Sequence, residues 1–133
     1  MKYSKNAVYT SVRNAVKTVY AEAYVTGTIA AVPAKSPAVM MQEIGYFHNS
    51  EAVTLGGSQG VWTSTFEAQV FSNKAKTGMT ECTTIMDTVV SAFVSLGYVL
   101  TAMNIVEDGK DGKNRLTARF RRICGDGEAM PTS

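Results

Sequence analysis

The stretch Val61–Ser72, VWTSTFEAQVFS, alternates apolar and polar side chains along most of its length. A period of two places successive side chains on opposite faces of a β-strand. The apolar row is Trp62, Phe66, Ala68 and Val70, and the polar row is Thr63, Thr65, Glu67 and Gln69. We therefore predict a strand with one buried face and one polar face that lies in water or in an interface.

A second helix is predicted directly downstream, ending at Leu96. Its apolar side chains recur at i, i+3, i+4, i+7, i+11 and i+14, which places them on one helical face. They are Cys82, Ile85, Met86, Val89, Phe93 and Leu96. Thr77 or Thr80 is expected to cap the start of this helix, and Gly97 suits the left-handed position after its end.

The remaining elements follow from the same periodicities and from the positions of glycine and proline. We expect a first helix, a connector with a short strand, a first main strand, a long loop, and a closing hairpin with a charged turn. Their ranges are 4–20 for the helix, 24–37 for the connector, 38–47 for the strand, 48–60 for the loop, 98–106 and 115–124 for the hairpin strands, and 107–114 for the turn.

This order predicts an α+β fold, an antiparallel sheet of about four strands with two amphipathic helices packed on one face. A chain of 133 residues fits one domain. We expect that domain to span residues 1–124 and residues 125–133 to form a mobile tail.

Composition and charge exclude several functional classes. The formal net charge is only +2, from 13 basic and 11 acidic residues, which is too weak for a general binder of the nucleic-acid backbone. We find no apolar stretch typical of a signal peptide or of a membrane span. The sequence therefore predicts a protein made in a cytoplasm-like compartment, with no membrane partner.

No pattern of catalytic, metal-binding or cofactor-binding residues is present, so we expect a protein that is not an enzyme and needs no cofactor. His48 is the only histidine, and Cys82 and Cys124 lie far apart in the sequence, without the spacing of a zinc site. Both cysteines are interpreted as small buried side chains. A hydrolase that uses His48 and a cysteine is kept as a competing hypothesis.

Two regions are candidate interfaces. In the predicted loop the candidates are His48, Asn49, Leu55 and Gln59, and on the strands they are Trp62, Glu67, Arg115, Arg119 and Arg121. The three arginines should share one strand face, where they contact nucleic acid or an acidic partner, or else pair across strands with Glu67 or Glu43. Trp62 suits an interface anchor and a core position equally well.

Five stretches resemble the tail terminator, or tail-completion, proteins of long-tailed bacteriophages. The similarity extends over residues 4–123 and is carried by patterns of strand and helix rather than by a catalytic motif. The stretches are Pro37–Glu43, Trp62–Asn73, Ile85–Val90, Ser95–Tyr98 and Arg115–Phe120.

The resemblance implies a structural protein of the virion, made in the host cytoplasm and located at the head-proximal end of the tail. It implies a homohexameric ring that caps the tail tube and joins it to the head–tail connector protein, with DNA touching it only during passage through the ring. The alternatives are another neck or minor capsid protein of a phage, or a small nucleic-acid-binding α+β module.

Overall fold

The computed structural model describes residues 5–29, 33, 35–48, 61–74, 77–108 and 113–125. Within these residues the chain forms two helices and five strands, which confirms the predicted α+β class. They are α1 (Lys5–Val19), β1 (Tyr24–Thr26), β2 (Ala38–His48), β3 (Val61–Ser72), α2 (Gly78–Ser95), β4 (Val99–Asp108) and β5 (Lys113–Gly125).

The five strands form one sheet in the order β1-β2-β3-β5-β4. The pairs β2–β3, β3–β5 and β5–β4 are all antiparallel, so both predicted hairpins are confirmed. The short β1 adds a fifth strand that pairs in parallel with residues 38–40 of β2. It is the short strand predicted within the connector, but three residues are too few to show a period, so its place in the sheet was not predicted from the sequence.

Several strands extend beyond their predicted ends. His48, predicted to begin the loop, ends β2 opposite Trp62. The closing hairpin continues to the pair Asp108 and Lys113, inside the predicted charged turn, and β5 reaches residue 125. Backbone pairing continues where side-chain alternation has already ended. Composition alone therefore predicts strands that are too short. The rest of the predicted loop, at 49–60, and of the predicted tail, at 126–133, lies outside the described residues.

Both helices pack on the same face of the sheet, as predicted. The core between the two layers consists of side chains from both helices and from β2, β3 and β5, and α1 lies beside α2. Its members on α1 are Val8, Val12 and Val16, and those on α2 are Cys82, Ile85, Met86, Val89 and Phe93. The 3.6-residue and two-residue periods of the sequence therefore identify these buried side chains. Val19, which the same period places on the apolar face of α1, is instead 59% exposed.

Phe93 lies at the centre of an aromatic cluster in this core. Its ring stacks on Phe120 of β5 with the centroids 4.3 Å apart, and it meets the rings of Phe66 and Tyr98 at 5.4 Å each. Aromatic pairs at these distances contribute stability beyond the burial of their area. This cluster joins α2 to the two central strands.

The start of α2 is held against the ends of β3 and β5 by polar contacts. The Ser72 hydroxyl donates to Glu81 at 2.8 Å, and the Asn114 amide donates to the Lys74 carbonyl at 3.0 Å. Thr77 occupies the N-cap position but forms no side-chain capping hydrogen bond. Thr77 is therefore at the predicted cap position but does not cap the helix with its side chain. The contact of Glu81 with Ser72 helps to hold the first turn instead.

We expect Phe93→Ala to lower the free energy of unfolding by about 3–5 kcal/mol, because truncation leaves a cavity at the centre of the aromatic cluster. Urea titration followed by circular dichroism measures the change. Val94→Ala is the matched control on the exposed side of the same helix, and we expect it to change stability by less than about 0.5 kcal/mol. Equal effects of the two substitutions would contradict the assigned helix face.

We expect Gly78→Ala to destabilise the protein by about 1–3 kcal/mol, although alanine normally stabilises a helix. An added Cβ at this position meets the Asn114 side-chain amide. In an Asn114→Ala background the same substitution should cost at least about 1 kcal/mol less, which a double-mutant cycle measures. If the cost is the same in both backgrounds, the collision is not its cause.

Candidate interaction surface on the sheet

The sheet face opposite the helices carries most of the polar side chains of β3 and β5, and we call it the open face. Register pairs Thr65 with Arg121, Glu67 with Arg119, and Phe71 with Arg115. The intervening side chains on β5, including those of Ala118 and Phe120, are buried under the helices. The prediction that Arg115, Arg119 and Arg121 share one face is therefore confirmed.

Arg119 and Glu67 form a cross-strand ion pair in the middle of the open face. The Arg119 Nε lies 3.1 Å from Glu67 Oε1, and the side chains are 55% and 14% exposed. The Gln69 amide donates a second hydrogen bond to Glu67, at 3.1 Å. Such an exposed pair contributes less than about 1 kcal/mol, so it orients Arg119 more than it stabilises the fold.

Arg115 is also held by neighbours within the chain. Its guanidinium donates to the Gln69 side-chain carbonyl and lies 5.3 Å from the centroid of the Phe71 ring. Phe71 belongs to a small second cluster with Ala38 and Met40, against which Tyr24 and Ile29 pack. The segment after α1 thus covers one end of the open face, which the alternation along β3 alone does not predict.

Arg121 differs from the other two arginines of the open face. It is exposed, and its register partners are Thr65 on β3 and Val99 on β4. No carboxylate among the described residues lies within ion-pair distance of it. Arg121 is therefore the arginine of this face best placed to meet an acidic group on another molecule.

Arg122 lies on the helix side of the sheet, near the C-terminal end of α2. A Cβ added to Gly97, which has a φ of +91°, would approach Arg122 Nε to 2.9 Å. A positive charge at the C-terminal end of a helix is favourable. The positive φ confirms the left-handed conformation predicted for Gly97.

The predicted site residues at the far end of the β2–β3 ladder form one row across three strands. His48 pairs with Trp62, and Trp62 pairs with Cys124. Trp62 separates the other two, so the backbones of His48 and Cys124 lie about 10 Å apart, two strand spacings. Asn49, Leu55 and Gln59 lie outside the described residues. An interface role for these five candidates remains a prediction.

Cys82 is buried in the core, as predicted. Burial raises the pKa of its thiol to about 11, and the negative charge of Glu81 acts in the same direction. The thiol lies 3.5 Å from the carbonyl oxygens of Val70 and Asn114. A thiol in this environment stays protonated at neutral pH and is a poor nucleophile.

One polar group on the helix side was not predicted from the sequence. Ser64 is fully buried, donates to Glu43 Oε2 at 2.8 Å and lies 2.8 Å from the Tyr98 hydroxyl. Glu43 borders a cavity of about 350 Å³ between α1 and the edge of β2. A serine within the apolar row of β3 is the one signal that indicated a buried polar contact.

Neither metal-binding nor membrane-spanning features emerge from the described part of the chain. Its His, Cys, Asp and Glu side chains form no group of three or more with the geometry to hold a metal ion. Neither α1 nor α2 is long and apolar enough to cross a membrane.

The raised pKa of Cys82 predicts its reactivity. In a Cys124→Ser variant, iodoacetamide should alkylate Cys82 slowly at pH 8, and the rate should rise toward pH 11 because the thiolate is the reactive form. The contribution of Cys82 to folding stability should be full well below pH 9 and should fall as the pH rises toward 11, since the unfolded thiol ionises before the folded one. The same protein in urea is the control and should react rapidly at pH 9. Equal rates in the two states would show that the thiol is exposed.

Comparison with known proteins supports the fold and leaves the family open. No protein-family model and no curated protein matches this chain. Among solved structures, a chain of the virion of a native gene transfer agent particle has a similar fold, with a TM-score of 0.56 and 13% sequence identity. The alignment covers 90% of this chain and 96% of that chain. At this identity, the comparison shows that the two chains share an architecture from end to end.

Proposed function

We propose that this protein is a non-enzymatic structural protein of a phage-like virion, a tail terminator that forms a ring, caps the tail tube and joins it to the head connector. The observation that carries the proposal is the shared fold with a chain of the gene transfer agent virion, over nearly the whole length of both chains. The sequence patterns described above also resemble the tail terminator family.

The environments of the nucleophilic side chains support a role without catalysis. The Cys82 thiol is buried with a raised pKa, and the buried Ser64 hydroxyl is engaged by Glu43 and Tyr98. Activation of a serine or cysteine requires an adjacent general base and access for a substrate. The Ser64 hydroxyl contacts the Glu43 carboxylate but is fully buried, which denies a substrate access to it. The buried Cys82 thiol donates to backbone carbonyl oxygens rather than to a general base.

The shape of the domain favours assembly into a closed ring. A two-layer domain has one sheet face without helices and two different sheet edges, which allows head-to-tail contacts between identical copies. We propose a homohexamer, the state implied by the family resemblance, with the tail tube protein on one side and the connector protein on the other. DNA would pass through the ring without recognition of its sequence.

The open face supports protein contacts over nucleic-acid binding. Two of its three arginines are engaged within the chain, Arg119 by Glu67 and Arg115 by Gln69. A nucleic-acid-binding face instead offers several free cations to successive phosphates. This arrangement leaves Arg121 to meet an isolated acidic group, as occurs at the rim of a protein interface.

Sedimentation velocity over a range of protein concentrations, with negative-stain microscopy of the same samples, tests the proposal. We expect rings of uniform size, either of the protein alone or after addition of purified tail tube protein. A protein that stays monomeric under both conditions would refute it. Steep salt-dependent binding to DNA by the monomer would favour the nucleic-acid-binding alternative.

We expect Arg121→Glu to weaken assembly by about threefold to tenfold while the monomer remains folded, because the reversed charge meets an acidic neighbour. Arg13→Glu, on an exposed position of α1, is the matched control and should assemble like the parent. Sedimentation velocity at equal ionic strength measures both variants. If Arg121→Glu assembles as tightly as Arg13→Glu, Arg121 lies outside the contact.

A further inference from the structure

We infer that β4 of one copy pairs with the free edge of β2 in the next copy, so that the sheets of neighbouring subunits continue into one another. This inference deepens the proposed function and rests on its ring. We define the free edge of β2 as residues 41–48, beyond the three residues that pair with β1, because no described strand pairs with them on the side away from β3.

The first observation is the composition of β4. It is ten residues long, it lies at the end of the sheet, and no described strand pairs with its outer side. Residues 99–105, VLTAMNI, are all exposed and include no charged residue and no proline. Edge strands of monomeric proteins are usually guarded by charges or proline, and a long apolar edge without them is a site for pairing with another strand.

Among the described residues, five of the eight exposed large apolar side chains lie on these two edges, and the other three lie on α1, α2 and β5. Val99 and Ile105 on β4 are 63% and 67% exposed, and Ile44 on β2 is 42% exposed. Leu100 and Met103 on β4 are more than one third exposed. Scattered apolar residues on a surface need no explanation, but a contiguous set along one strand marks an interaction site.

The two edges are complementary in strand direction. β4 is antiparallel to β5, β5 to β3, and β3 to β2, so β4 runs opposite to β2 within one copy. When a second copy is added in the same orientation, its β2 lies antiparallel to the first copy's β4. The alternation of strand directions therefore continues across the subunit boundary without a break.

In this arrangement the helix-side face of β4 meets a cavity that lies beside β2. Met103 and Ile105 pair in register with Ala118 and Leu116, whose side chains are buried on the helix side of the sheet. On the same side of β2, a cavity of about 350 Å³ lies beside the free edge. It has a mixed polar and apolar lining of Asn6, Tyr9, Gly27, Met41, Gln42, Glu43 and Phe66. Continuation of the sheet places the apolar side chains of β4 at the mouth of this cavity.

A symmetric pairing of β4 with the β4 of a second copy is the competing arrangement. It is also antiparallel and also brings apolar side chains together. However, it closes after two subunits, and it leaves both the free edge of β2 and the adjacent cavity uncovered. A head-to-tail contact uses both edges once per subunit, as a ring requires.

A mixing experiment separates the two arrangements. Ile105→Lys blocks the β4 edge and Ile44→Lys blocks the β2 edge, both at exposed positions, and circular dichroism confirms that each variant is folded. Val19→Lys, at a position on α1 that is 59% exposed, is the control and should assemble like the parent. Each blocked variant alone should need about tenfold or more higher concentration to assemble.

Mixed in equal amounts, the two blocked variants should form heterodimers and nothing larger, because each still has the edge that the other needs. If Ile44→Lys assembles like the parent while Ile105→Lys does not, pairing of β4 with itself replaces our inference. If both assemble like the parent, the inference is wrong but the ring remains. If the parent itself never assembles, with or without tail tube protein, the ring and the inference are both wrong.

Hydrogen exchange of the unmodified protein provides a second test, which does not depend on whether a variant folds. On assembly, backbone amides that point outward from β4 and from residues 41–48 should exchange at least about tenfold more slowly, since they gain hydrogen-bond partners. Protection confined to β4 would support the symmetric pairing. Unchanged exchange at both edges of an assembled sample would overturn the inference.

Discussion

The pairing of β3 with β5 is the interaction on which the rest of the structure depends. β3 belongs to the first hairpin and β5 to the second, and their twelve register pairs, from Val61 opposite Gly125 to Ser72 opposite Asn114, join the two hairpins into one sheet. The joined strands place Phe66 and Phe120 side by side under α2, where Phe93 contacts both. The helix thus packs on a surface that exists only once the hairpins have met.

The same pairing determines the chemistry of the two sheet faces. Because side chains alternate along both strands, the register that buries Phe120 and Ala118 also places Arg119 opposite Glu67 on the other face. A shift of one residue would bury the arginines and expose the aromatic rings. The ion pair between Arg119 and Glu67 contributes little stability by itself. Burial of the hydrophobic face fixes the strand register, and this register brings the two charged side chains together.

Sequence reasoning identified the elements whose side chains repeat with a clear period. The stripe from Cys82 to Phe93 and the alternation along β3 both appear in the structure as predicted. Three features had no such signal. β1 is too short to show a period, the strand ends depend on backbone pairing that composition does not encode, and the bond from Ser64 to Glu43 joins residues 21 positions apart. Of the candidate site, the shared face of the arginines was predictable, but their partners were not, since these depend on which strands become neighbours.

The two edges of the sheet contribute little to the stability of one subunit but are suited to association between subunits. The β2 edge is partly covered by β1, which leaves residues 41–48 beside a cavity. The β4 edge has only apolar and uncharged polar side chains at 99–105, although a single lysine there would leave the core unchanged and protect the edge. An apolar edge of this kind lowers the solubility of a lone subunit and adds nothing to its core. We propose that a partner covers it. Within this chain, the free edge of β2 has the strand direction and the adjacent cavity that such a partner requires.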